Sequence, residues 1–572
     1  MALNIILGAS GSGKTTRCFE EIDKKIKSES NSKIFMLVPE QFTFEGEKKL
    51  IEVLGEEVLL RGTVTNFKRL AHKVFSKVGG AKEKTLDDCG KAMLIYYILN
   101  SDRLNFATFG TVAHQKGFVA LIGEMIGEFK RYNISYDDLE DAYEKMSSKP
   151  TLRDKLFDLK EIYKAFSNET EGKFLDRDDE LNVLMKKLEE YDYIKDSYIW
   201  IDEFSFFTPQ QMKIIEKLLH LSKDVYITLN YEELENQNTF YLTETTLSRL
   251  QRMADKNNIS VNIENLDGRG YKFLSKELKH LEKNINNISV AQNEEVTEDI
   301  QINVAFNSFK EIEIMARDIV KEVREKNIRY KDIAVISRDI DSYTEYIKGI
   351  FNQYDIPFFI DKKASTENNN FIVFISSALE IINRNWSYET VFRYLKTYIL
   401  DIDMEDIDIL ENYVLCHGIK GKSKWVDKVW DYPVYSEYNP FDTDEEFLDK
   451  INEIKEKVVS PLRNLLEISK SKDTVKNIGE KLYYFLEEAN VKEHIKDLVD
   501  SYSEEGEIAL SEEYSQIWNK VMDNLNSFVE VLGEEEMSLS EFVKIFAVGV
   551  DHAEVGIIPT ALDQVFVGGS DR

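Results

Sequence analysis

Residues 8–16 read Gly-Ala-Ser-Gly-Ser-Gly-Lys-Thr-Thr, which fits the pattern G-x-x-x-x-G-K-[ST] and constrains the fold more than any other stretch. The run follows a short apolar segment, residues 3–7, and opens a helical pattern with Cys18, Phe19 and Ile22 on one face. A strand before and a helix after is the setting in which such a loop wraps phosphates, because glycines let the backbone curve with its N–H groups pointing inward. In that setting Gly8, Gly11, Ser12, Gly13 and Thr16 belong to the cradle. Lys14 reaches the β- and γ-phosphates, and Thr15 offers a hydroxyl to Mg²⁺. From average composition the four fixed positions match by chance in a chain this long roughly twice in a hundred. ATP with Mg²⁺ is the expected ligand, and a glycine-rich turn without a ligand is the competing reading.

The surrounding pattern is that of a parallel sheet. Residues 34–38 form a second apolar run stopped by Pro39, residues 198–201 a third, and residues 225–229 a fourth. The third ends in Asp202 and Glu203. With a phosphate loop earlier in the same sheet, Asp202 is expected to hold Mg²⁺ together with Thr15, and Glu203 to orient the attacking water as the catalytic carboxylate. The alternative is an acidic surface turn. Gln41 and Thr43 leave the end of the second strand, where α/β sheets put their ligands. Residues 61–72 read as a loop entering a helix, with Thr65 as N-cap. That segment offers Phe67 for base stacking and Lys68, Arg69 and His72 as donors to phosphate or base. The competing reading makes Phe67 and Leu70 core, with the basic residues on a solvated face.

At 572 residues the chain is too long for one core, and three or four compact units are expected. The pattern predicts a first α/β domain over 1–285 with a helical insertion at about 80–190, then a linker around 282–298. A second α/β unit is predicted over 299–365, with strands at 302–306, 333–336 and 356–360. Helices follow over 366–545, and residues 546–572 return to the second unit with a strand at 563–567. A domain should not close on an unpaired apolar strand, so the chain is expected to be a fragment or truncated. With 43% hydrophobic and 31% charged residues and only 8 prolines, it reads as a folded, helix-rich protein. No run of 18 apolar residues and no leader pattern appear, so a cytoplasmic protein is expected. The cysteines, Cys18, Cys89 and Cys416, are too few and too far apart for a disulfide framework or a zinc site. A formal charge of −31 argues against coating nucleic acid by bulk attraction, though not against a local basic groove.

The order of these pieces resembles superfamily-1 helicases of the UvrD/RecB type. GASGSGKTT resembles motif I, VPEQFTFEGEKKL motif Ia, GTVTNFKRLAHKVF motif Ib and IWIDEFSFFTPQQMKII motif II. KDIAVISRDIDSYTEYIKGIFNQYDIPFFIDKK is similar to the start of the second motor domain. The wording LVPEQFTFEGE, DEFSFFTPQQ, LENYVLCHGIKG and IIPTALDQVFVGGSDR resembles one branch, the AddB subunits of AddAB helicase–nucleases. The resemblance implies an α/β fold of two RecA-like P-loop domains with large helical insertions. It also implies a heterodimer with an AddA-type motor that processes single- and double-stranded DNA ends at breaks for recombination. Binding of ATP, a share in recognising the Chi sequence, and a C-terminal nuclease domain with an iron–sulfur cluster come with it, the nuclease domain and its cluster expected only outside this chain. By the same resemblance Gln41, Thr43, Phe67 and Arg69 contact the DNA strand.

The departures shape the expected activity. After residues 225–229 the chain has Asn230-Tyr-Glu-Glu where motif III has Gly-Asp and a downstream Gln, and Ser205-Phe206 replaces the usual Gln-Asp of motif II. Motif VI with its arginine finger is also missing, and such a finger is typically worth about 10³–10⁵ in rate. The chain is therefore expected to bind ATP–Mg²⁺, to hydrolyse it weakly or not at all, and to cut nothing. Two other classes compete: a scaffold indifferent to nucleotide, and an unrelated P-loop kinase, in which the second α/β unit has no place.

Overall fold

The computed structural model describes residues 2–570 except 30–31, 56–57, 59–60, 81–82, 102–103, 233–238, 267–274, 286–290, 294–296, 362–363, 366–368, 434–442, 468–470, 552–553 and 556–561. The chain divides into two compact units, where three or four were expected. The first comprises Met1–Thr85, Met125–Lys145 and Glu169–Val304, and the second Leu86–Glu124, Met146–Asn168 and Ala305–Arg572.

The first unit is built on six strands: β1 (Ala2–Gly8), β2 (Ile34–Leu37), β3 (Gly62–Thr65), β4 (Tyr198–Ile201), β5 (Asp224–Asn230) and β6 (Ser260–Asn265). They run parallel in the order β3-β2-β4-β5-β1-β6. Every residue of β2 and β4 is buried, as a parallel sheet covered on both faces requires. One face packs under α1 (Lys14–Ser28) and α2 (Thr43–Leu54), through Cys18, Phe19, Ile22 and Leu50. The other packs under α3 (Phe67–Val78) and α4 (Pro209–Leu221), through Leu70, Val74, Ile214 and Leu218. The register sets Leu37 opposite both Thr65 and Ile201, and Gly8 opposite Asn230. The carboxyl ends of five strands therefore open onto one edge of the unit.

Two sequence expectations change here. Residues 62–65 are a strand and not a loop, because Gly62–Thr65 finds hydrogen-bonding partners along β2. The N-cap of α3 is Asn66 and not Thr65: Asn66 Oδ1 accepts the Arg69 N–H at 2.7 Å, while Thr65 still belongs to β3.

The stretch 80–190 is mostly helical, with one short ladder joining Lys84–Leu86 to Phe174–Asp176. Its helices do not stay together. The helix Asp88–Leu99 buries residues around its whole circumference and belongs to the second unit. There Tyr97 donates to Glu535 at 2.6 Å, and Ser527 to Asp87 at 2.6 Å.

The second unit contains a three-stranded parallel sheet of β7 (Ala334–Ser337), β8 (Phe358–Ile360) and β9 (Val565–Gly569), in the order β8-β9-β7. One face is covered by α5 (Ser308–Lys326) and α6 (Ile340–Gln353). Helices make up most of the described chain from Asn370 to Asp551. Residues 302–306, expected as a strand, form none: Ile302, Val304 and Phe306 are 88%, 90% and 96% exposed. Apolar alternation yields a strand only where a neighbour supplies hydrogen bonds, and no described strand does so here. The expected linker at 282–298 and the expected strand-bearing end at 546–572 fall partly outside the described residues.

Candidate nucleotide-binding site

The loop after β1 turns as its glycines require. Gly11 and Gly13 have φ of 73° and 92°, values that favour glycine, and Gly13 directly precedes α1. A side chain at Gly8 would collide with the Ser12 hydroxyl. Lys14 folds back over the loop, its Nζ donating to the carbonyls of Gly8 at 2.9 Å and Ala9 at 2.8 Å. Burial holds its ammonium below the ordinary lysine range, against the opposing pull of Asp202, Glu203 and Glu282.

Asp202 follows β4 and is 1% exposed. Its Oδ1 accepts the Glu203 N–H at 3.0 Å and the Thr228 hydroxyl from β5. Its Oδ2 is buried with no partner, as is Ser12 Oγ. Glu203 sits at φ 66°, a left-handed conformation uncommon for a residue with a side chain, and accepts the Thr15 hydroxyl at 3.1 Å. These groups wall a cavity of about 440 Å³ lined by Lys14, Thr15, Asp202, Glu203, Thr228 and Asn230, with Lys49 reaching in from α2. Among the described residues no cluster of three or more His, Cys, Asp or Glu side chains could hold a metal by itself.

The phosphate loop and the acidic pair, 186 or more positions apart in sequence, thus meet as the strand pattern predicts. Lys49 and Thr228 escaped the sequence reading. Thr228 could have been found from the register, since β4 and β5 pair in parallel with Ile201 opposite Ile227. Nothing in the sequence marks Lys49.

The four expected DNA-contacting residues separate. Gln41 and Arg69 are exposed, whereas Thr43 and Phe67 are buried. Thr43 Oγ1 donates to the Glu40 carbonyl at 2.8 Å. Phe67 packs edge-on against Phe204, with ring centroids 5.7 Å apart, and forms part of the wall of a second cavity of about 280 Å³. Asn66, Lys68, Arg131 and Arg177 also line that cavity, and Asn66 Nδ2 is buried there without a partner. His72 lies 3.9 Å from Glu180. The cysteines are free, Cys18 buried and Cys416 exposed.

A parallel α/β sheet with a phosphate loop after β1 and an acidic pair after β4, with β5 between the two strands, defines a P-loop nucleotide-binding fold. Residues 5–282 match the family model described as ADDB, N-terminal. The chain is 40% identical over 581 residues to the ATP-dependent helicase/deoxyribonuclease B subunit of Clostridium acetobutylicum, covering 100% of this chain and 50% of that relative. Proteins of the same name from Clostridium kluyveri and Clostridium botulinum (strain Loch Maree) are 40% and 41% identical, over 100% of this chain and 51% of each. The chain is similar to AddB proteins along its whole length, and it spans about half the length of the curated relatives it matches. Among the described residues no helix is long and apolar enough to cross a membrane.

Proposed function

We propose that this chain binds ATP–Mg²⁺ in the cavity above β1 and β4, as the nucleotide-binding and DNA-contacting part of a helicase–nuclease subunit. The observation that carries the reading is Asp202 Oδ2, a buried carboxylate oxygen with no partner beside a phosphate loop. Together with the Thr15 hydroxyl it makes a hard, all-oxygen donor pair, which suits Mg²⁺ completed by phosphate and water. The ion, when bound, would neutralise charge on the phosphates. Lys14 is held by two loop carbonyls in a buried setting that disfavours its charge, so an arriving phosphate would supply the missing counter-charge. Glu203 is the residue that would orient a water toward the γ-phosphate. Ser205, Phe206 and Asn230 stand where working motors couple nucleotide to DNA, so turnover is expected to be weak.

Gln41 and Arg69 would contact a DNA strand directly, being exposed beyond the carboxyl ends of β2 and β3. A base would reach Phe67 only through the cavity it walls, and Thr43 would act by holding the Glu40 turn. The proposed setting is a complex with an AddA-type motor subunit that processes double-strand breaks and reads Chi in single-stranded DNA.

The test is ATP binding and phosphate release by the purified chain, with and without single-stranded DNA. Saturable Mg²⁺-dependent binding is expected, lost in Lys14→Ala and kept in Glu203→Gln, with release barely above that of Glu203→Gln. A folded wild-type chain that binds no ATP would sink the reading, and strong DNA-stimulated release would overturn the weak-turnover part. Nucleotide should change single-stranded DNA affinity by about 5–150-fold, whereas indifference would favour a scaffold.

A further inference from the structure

Lys33, Lys68, Arg69, Lys73 and Lys77 form a group of cations without counter-charges. Among the described residues none of them makes an ion pair, whereas Arg17, Lys24, Lys25 and Lys27 on α1 each face a carboxylate at 2.6 to 3.7 Å. α3 carries four of the five together with His72, and it contains no acidic residue. Arg69, Lys73 and Lys77 stand four apart on one line of the helix, where like charges repel and cost helix stability. Lys73 Nζ donates to the Thr63 hydroxyl at 3.0 Å. Burial, and then the charges of Lys33 and Lys77, hold its ammonium below the ordinary lysine range.

These cations trace a line along the outer side of the first unit. α3 starts beside the carboxyl end of β3, and Lys73 reaches Thr63, which pairs with Phe35 of β2. Lys33 directly precedes β2, so the line ends near the amino ends of β2 and β3. Over the 12 residues of α3 it runs about 18 Å. Lys33, Lys68, Arg69, His72 and Lys77 are exposed, whereas the apolar Phe67, Leu70, Ala71 and Val74 are buried, and α3 exposes no large apolar side chain. A protein partner is usually met by an apolar centre inside a polar rim, and a bare row of cations suits a polyanion instead. At a formal charge of −31 the whole chain repels such a partner, which can approach only where the local charge is positive.

We propose that Lys33, Lys73 and Lys77 form a phosphate track that carries a single DNA strand away from the carboxyl edge of the sheet, over Arg69 and along α3. The track extends, and rests on, the proposed contact of Arg69 with DNA. Continuity with that contact selects a single strand as the occupant, since the line of cations begins at Arg69 itself. The lysines would meet phosphates and read no bases, so the track adds affinity without sequence preference.

The salt dependence of binding to a labelled single-stranded oligonucleotide tests this on the full chain, by fluorescence anisotropy. Each phosphate contact contributes roughly 0.7 to the slope of log affinity against log salt, so replacing Lys33, Lys73 and Lys77 together by Gln should flatten that slope by about 2. Replacing the same three by Arg keeps the charges and should keep the wild-type slope. Lys24→Gln with Lys27→Gln, which removes two paired cations from α1, should leave the slope unchanged. An unchanged slope in the triple Gln chain, with Arg69→Gln still weakening binding, would overturn the track alone and leave the row of lysines to an acidic protein surface. Flattening seen only with duplex DNA of the same sequence would also overturn it. Flattening in the triple Gln chain with no effect of Arg69→Gln would support the track and remove the proposed contact at the edge. A wild-type chain that binds no single-stranded DNA would overturn both.

Discussion

Thr15 Oγ1 donates a hydrogen bond to Glu203 Oε1 at 3.1 Å, so the hydroxyl proposed for Mg²⁺ and the carboxylate proposed for water satisfy each other. An ion at Thr15 would compete with that bond, and Glu203 would be released toward the cavity at the same moment. Thr15→Ala should therefore weaken ATP binding by about tenfold with Mg²⁺ present, a loss of the size expected for one charge-assisted contact. Affinity for ATP in EDTA should stay the same. Titration with a fluorescent ATP analogue under both conditions checks this, and an equal loss in both would mean that Thr15 acts on the loop and not on the ion.

Asp202 is a buried carboxylate with one oxygen unsatisfied, a state that costs stability and is kept only if something binds it. Asp202→Asn preserves the volume and the acceptor for the Glu203 N–H and the Thr228 hydroxyl. The expectation is a melting temperature equal to or above wild type, with Mg²⁺-dependent ATP affinity lost. A fall of more than about 5 °C would show that the carboxylate is part of the fold's own stability.

The backbone of Glu203 stores strain at φ 66°. Glycine would relieve it but would also gain freedom in the unfolded chain, and the two effects are each about 0.5–1 kcal/mol. Glu203→Gly should thus melt near wild type, whereas Glu203→Val, with branching at Cβ, should lose more than about 1 kcal/mol. Equal stability of the two variants in a urea titration would refute a strained turn at this position.

How much of this was legible depended on whether a signal was local. β2 and β4 are buried on both faces and read as unbroken apolar runs stopped by Pro39 and Asp202, while β1 and β5 are mostly apolar runs interrupted by Asn4 and Thr228 and ending at Gly8 and Asn230. β3 reads Gly-Thr-Val-Thr and carries no such signal; it is a strand because β2 lies beside it. Residues 302–306 show the reverse, with the alternation of a strand but no described strand beside them. Phe67 fits helical periodicity equally well as core or as a stacking platform, and only burial against Phe204 separates the two. The Thr15–Glu203 and Asp202–Thr228 contacts depend on register across the sheet, which no local pattern records.

Acid should loosen the far end of the first unit. Glu29 accepts the Tyr198 hydroxyl at 2.6 Å and Lys223 Nζ at 2.7 Å, and the hydrogen bonds from Lys223, Ser32 and Tyr198 hold its carboxyl down at about 2. Unfolded glutamate titrates near about 4.3, so the folded form binds its proton less readily. The contribution is therefore present above about pH 4.3 and is lost as pH falls toward 2. Glu29→Gln should lower the melting temperature at pH 7, and the gap to wild type should narrow between pH 4.5 and 2.5. A gap of constant size across that range would assign the effect to packing.

Asn66 joins the fold to the candidate DNA surface, because one side chain has two unlike ends. Its Oδ1 caps α3 by accepting the Arg69 N–H, while its Nδ2 is buried without a partner on the wall of the 280 Å³ cavity. Asn66→Ala removes both and should cost about 1 kcal/mol, the usual value of an N-cap. Asn66→Asp keeps the cap and favours the helix N-terminus, so stability should hold. It also replaces a donor by a negative charge on the cavity wall, and single-stranded DNA affinity should fall while the fold stays intact. Urea titration and fluorescence anisotropy on the same preparations separate the two ends. Unchanged DNA affinity in a stable Asn66→Asp chain would show that the cavity takes no part in binding and that Asn66 serves only the helix.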